Sequence, residues 1–154
     1  MIKSVINQQI GDALKAHDEL RLTTLRMLSS ALNYEFIAKQ HELSEDEEIA
    51  VVRREVKKRN DTVESYKAVL DKDPAHVQEK IDKELKEIDI LKEYLPPEMD
   101  EGELQKIVDD TVKEMGATEM KDMGRVIGAV KGKVGMAADG SRIADMVKKA
   151  LNAG

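Results

Sequence analysis

The chain has 154 residues and a formal net charge of −6, with one Phe, three Tyr, no Trp and no Cys. That length buries a core, but so few rings argue against the base-stacking surfaces of RRM and OB modules. The lack of cysteine excludes disulfides, thiolate zinc sites and thiol nucleophiles. The core must be aliphatic, which favours helix bundles over sandwiches.

Ile2, Val5, Ile6, Ile10, Ala13 and Leu14 recur at helical spacing, predicting a first helix from about Ile2 to Ala16. Asp18 caps a second, which carries Leu22, Leu25, Leu28, Ala31, Leu32 and Phe36 on one stripe and runs to about Gln40. Ser44 with Glu47 three residues on is a capping-box pattern. It opens a long helix whose seam is Ile49, Val52, Val56, Arg59, Val63, Tyr66 and Leu70. Arg59 stands where an apolar residue belongs, so it is expected to snorkel to water or to lie beyond the end of the partner helix.

Asp73-Pro74 restarts the chain with a capping carboxylate and a first-position proline. Val77, Ile81, Leu85, Ile88, Leu91 and Leu95 follow as one stripe, and the short connection implies an antiparallel hairpin from Ser44 to Leu95. Leu95-Pro96-Pro97 ends it. A domain boundary is placed here, giving a helical domain over 1–96 and a small three-helix domain over 97–154. In the second, Asp100 caps the stripe Leu104, Ile107, Val108, Val112 and Met115, and Gly116 is placed as a C-cap. The expected fold is all-α.

The last segment has the most distinctive sequence. Two short helices, with stripes Met123, Val126, Ile127, Val130 and Ile143, Met146, Val147, Leu151, flank a glycine-rich basic loop over 131–140. From Met120 onward seven bases face three acids, a charge of +4, whereas 98–119 holds eight acids and two bases, or −6. Such asymmetry points to an anionic partner at the C-terminal end. The candidate phosphate contacts are Lys121, Arg125, Lys131, Lys133 and Arg142, helped by exposed amides at the last helix start. Gly124, Gly128, Gly132, Gly135 and Gly140 are the positions where a ligand or a neighbouring backbone can approach closely.

No catalytic or metal site is expected. His17, His41 and His76 fall in separate connections or helix starts, the usual setting of solvated histidines. No Gly-Lys-Ser/Thr phosphate loop exists. Gly132-Lys133-Val134-Gly135 fits a GxxG clamp, but without strands no KH domain is expected. The many carboxylates read as solvated faces, none isolated in an apolar setting. Five bases fall within 53–59, where pairing with neighbouring acids along the helix is expected. With no signal-peptide pattern and no window near ~18 apolar residues, a soluble cytoplasmic protein is expected, without cofactor, small-molecule substrate or membrane contact.

Lys121-Asp122-Met123-Gly124, Gly128-Ala129 and Ala138-Asp139-Gly140 resemble the signature of the YqeY family, shared with the tail domain of the GatB subunit of the tRNA-dependent amidotransferase. Leu22-Thr23-Thr24-Leu25-Arg26-Met27-Leu28, the run Arg54-Glu55-Val56-Lys57-Lys58-Arg59 and Glu93-Tyr94-Leu95-Pro96 resemble the N-terminal half of its free-standing members. The resemblance implies an all-helical two-domain protein with a tRNA-binding tail, a non-catalytic accessory of tRNA rather than an enzyme. A carbon-nitrogen ligase label with glutamine as donor travels with the family by transfer, yet no residue here activates glutamine. Many relatives have Met-Pro-Lys-Val-Lys-Gly-Arg before the Ala-Asp-Gly; here Gly135 and Ala137 lose two bases and Lys131 adds one. The alternative reading is a helical adaptor that binds a protein partner through its hairpin.

Overall fold

The computed structural model describes residues 1–153. Among them the chain forms seven α-helices and no strand: α1 (Ile2–Lys15), α2 (Glu19–Lys39), α3 (Glu45–Lys67), α4 (Pro74–Lys92), α5 (Glu101–Met115), α6 (Met123–Val134) and α7 (Gly140–Asn152). It divides into two compact units, Met1–Leu95 and the remainder from Pro96. No described helix is long and apolar enough to cross a membrane.

Local chemistry sets the helix ends of the first unit. Asp18 accepts the Arg21 amide at 3.0 Å, and Ser44 and Glu47 exchange both bonds of a capping box. Asp73 accepts the His76 amide with Pro74 in the first turn. α1 has no cap of its own; instead the buried carboxylate of Glu48, on α3, accepts the Ile2 and Lys3 amides at 2.5 and 3.1 Å. It places negative charge at the positive end of the α1 dipole.

The core of this unit joins Ile2 and Ile6 to Leu25, Leu28 and Leu32, and these to Val52, Val56, Val63, Ile81, Ile88 and Leu91. Three expectations fail in detail. Val5, Leu14 and Leu85 are exposed, because the buried faces of α1 and α4 are narrower than their apolar stripes. Arg59 neither snorkels nor lies past its partner helix: it is 5% exposed, with Nε donating to Glu87 at 2.8 Å and Nη1 to Glu55 at 3.2 Å. Glu48, Glu55 and Glu87 are therefore carboxylates in an apolar setting, each held by specific donors.

At the far end of α4, Glu93 accepts both terminal nitrogens of Arg21, at 3.0 and 2.6 Å. This fork holds the Glu93 carboxyl below its ordinary range and raises Arg21. The Tyr94 hydroxyl donates to Gln9, and burial pushes its pKa up.

The second unit is a three-helix cluster around Leu104, Val108, Val126, Val130, Ile143 and Val147. Asp100 accepts the Gly102 and Glu103 amides, and Gly116 ends α5 at φ 61°, a left-handed conformation that glycine adopts without strain. Ahead of α5, the Met99 amide donates to Ala137 at 2.8 Å, binding the leading segment to the short turn after α6.

Candidate nucleic-acid interface

The segment expected to be a basic loop is mostly helix. α6 runs on to Val134, a 3-10 turn covers Gly135–Ala137, and α7 begins at Gly140. The cause is Val134, which is buried and continues Val126 and Val130 at steps of four, so the core holds the last turn in helical form despite Gly132. The GxxG stretch 132–135 thus spends three of its four residues inside α6 and forms no loop clamp.

The helical path separates the cations. At about 100° per residue, Lys131 and Lys133 point about 200° apart. Lys133 reaches α5, where its ammonium meets Glu114 at 2.6 Å and Thr111 at 3.1 Å. Lys131 reaches the other way, and its ammonium lies 3.2 Å from where a Cβ on Gly140 would stand.

Three further candidates are held by neighbouring groups. Lys121, on the 3-10 turn before α6, pairs with Glu119 at 2.8 Å, and Arg125 with Asp122 at 3.2 Å. Arg142, half-buried in the first turn of α7, donates to the Met99 carbonyl at 2.9 Å and lies 3.9 Å from Glu98. Its first role is to strap the leading segment. Lys131 alone among the five makes no ion pair among the described residues.

The glycines divide as well. A Cβ at Gly124, Gly128, Gly132 or Gly135 would meet nothing within 4 Å, so none is a point of tight helix packing. Gly135 is required by its backbone, at φ 56°. Gly140 is the crowded one, and its crowding neighbour is the flexible end of Lys131. Asp139 is the N-cap residue of α7, and its carboxylate accepts the Ser141 hydroxyl at 2.6 Å, so Lys131 stands beside a helix N-terminus that already carries an acid.

A family model described as Yqey-like protein matches residues 3–151. The chain is a member of the YqeY-like family. No curated protein matches it. In this YqeY-like chain the acids answering the tail's cations are Glu98, Glu114, Glu119 and Asp122, three of them from the stretch 98–119. Sequence reading set that acidic stretch apart from the basic tail, while the fold lays the two against each other. Their opposite charges in adjoining segments were the available signal. Among the described residues there is no group of three or more metal-ligating side chains.

Proposed function

We propose that the protein is a non-catalytic accessory protein that holds the tRNA backbone on its C-terminal unit. The observation that carries the reading is Lys131, exposed and without an ion pair among the described residues, beside the start of α7. A phosphate seated there meets an ammonium at the positive end of a helix dipole. The likeness to the GatB tail supplies the class of partner.

The four other cations contribute less, since each must exchange a carboxylate or carbonyl for the phosphate. Exposed pairs such as Lys121 with Glu119 are worth about 0–1 kcal/mol, so phosphate competes with them. The unit from residue 96 sums to −2, so no long-range field draws the RNA in. Contact is local, and affinity lies towards the weak end of backbone binding, roughly 10⁻⁴ to 10⁻⁶ M at physiological salt.

Filter binding of total tRNA across a salt series tests this. If all five cations neutralise phosphates, the slope of log K against log salt is about −4.5; two such contacts give about −1.8. The shallower slope is expected. Lys131→Ala reduces it by about one and weakens binding, while Lys133→Ala, which removes a cation already committed to Glu114, leaves it unchanged. Equal binding by wild type and Lys131→Ala would refute the assignment.

A further inference from the structure

A groove of about 620 Å³ runs along the first unit between α2 and α3. Its α2 wall is built from Met27, Ala31, Tyr34 and Ala38, at steps of four, three and four. That spacing is a second apolar stripe on a helix whose first stripe, Leu25, Leu28 and Leu32, already fills the core, and the two meet at Ala31, which packs against that core. Met27 is 51% exposed and Tyr34 81%. Val51 forms the floor from α3, and Arg26, Arg54 and Lys58 stand around it.

We infer that this groove docks an acidic amphipathic helix from another protein. The wall from Thr23 to Ala38 is about 22 Å long at 1.5 Å per residue, the length of a helix of about fifteen residues. The small side chains of Ser30, Ala31 and Ala38 leave room for a third backbone to settle between the two helices. Met27 and Tyr34 supply adaptable and aromatic anchors. An apolar channel of this shape is the receptor half of helix-in-groove recognition.

Charge selects the partner. Arg26 makes no ion pair among the described residues. Arg54 and Lys58 keep exposed side chains and have one acid each, Glu35 at 2.7 Å and Glu55 at 2.6 Å. Glu55 is also claimed by buried Arg59. The lining sums to +1 within a unit of −4, so the groove is locally positive. Acidic residues flanking an apolar stripe would pair with Arg26 and compete with Glu35 and Glu55 for Arg54 and Lys58 as the stripe fills the channel.

Other occupants fit less well. A nucleic acid would find one ring, two carboxylates and an apolar floor. A second copy of this chain has acidic helices, notably α5, but the apolar face of α5 is spent on its own core.

Selection from a displayed library of fifteen-residue helical peptides tests the proposal. The full chain serves as bait, and Met27→Glu/Tyr34→Glu, altered only at exposed positions, as counter-bait. The expected winners carry apolar residues at i, i+3 or i+4, and i+7, with acids beside them. Their affinity should fall at least ~10-fold in the counter-bait and in Arg26→Glu/Arg54→Glu, with both variants still folded and melting cooperatively. Winners that are neutral or basic, no enrichment over the counter-bait, or selection of this chain's own segments would overturn it. Loss of tRNA binding in Arg26→Glu/Arg54→Glu would reassign the groove to RNA, and Lys131→Ala tests the tail separately.

Discussion

Replacing Arg59 by Met removes the cation from a buried cluster while keeping much of its volume. In the native chain Arg59 is 5% exposed and Glu55 and Glu87 each 7%, with contacts of 2.8 and 3.2 Å. At an effective dielectric of about 20, each contact is worth roughly 5 kcal/mol of attraction. Desolvation of the three charges offsets most of this, so the intact cluster contributes little net stability. Truncation is a different matter, because Glu87 then has no cation and Glu55 keeps only Lys58.

A buried carboxylate stripped of its partner costs about 3–5 kcal/mol. For a unit of this size each kcal/mol lowers the melting temperature by about 4–8 °C, so a fall of at least ~12 °C is expected. Tyr34, Tyr66 and Tyr94 all lie within Met1–Leu95, and near-ultraviolet circular dichroism therefore reports on this unit alone. The double variant Arg59→Met/Glu87→Leu, which removes the orphaned charge, should recover most of the loss. A fall below ~4 °C in the single variant would refute burial of the cluster. A double variant as unstable as the single would place the effect in packing rather than charge. The outcome bears on the groove too, since Arg59 Nη2 lies 3.8 Å from the Met27 sulfur on its wall.

Two further outcomes concern helix starts. Glu48→Ala leaves the Ile2 and Lys3 amides without their acceptor, and a loss of about 1–3 kcal/mol is expected in urea unfolding at an unchanged m-value; Glu48→Gln, which still offers a carbonyl, should lose less. The Ser44 amide and the Lys39 ammonium push the Glu47 carboxyl down to about 2 from 4.5. Its folded pKa lies below its unfolded one, so its contribution is present above about 4.5 and is lost as pH falls towards about 2. Acid titration of wild type against Glu47→Gln should show two curves converging over that window; parallel curves would refute the cap's charge.

The helices were legible where the deciding chemistry is local. Ser44 with Glu47, Asp73 with Pro74, and Gly116 are each complete within a few residues, and each forms the expected end. Arg59 was not legible, because the partner that makes its burial tolerable, Glu87, lies 28 residues away. Leu85 misled for a related reason: the face of α4 turned to α3 is set by packing, which puts Glu87 and Ile88 inside and Leu85 outside. Sequence spacing alone cannot rank two neighbouring faces of one helix.

The candidate site was less legible, because its geometry depends on helix register. Its five cations are close in sequence, and a loop over 131–140 would leave their directions undefined. Val134 held the correction: continuing Val126 and Val130 at steps of four, it makes the last turn of α6 helical and sends Lys131 and Lys133 to opposite sides. From that one residue follows the asymmetry of the site, since Lys133 is turned onto Glu114 and Lys131 onto the start of α7. A charge count records both lysines as equal, but a phosphate meets one ammonium already neutralised and one that is not. The chemistry of this tail is therefore set by the register of an apolar stripe rather than by the number of its bases.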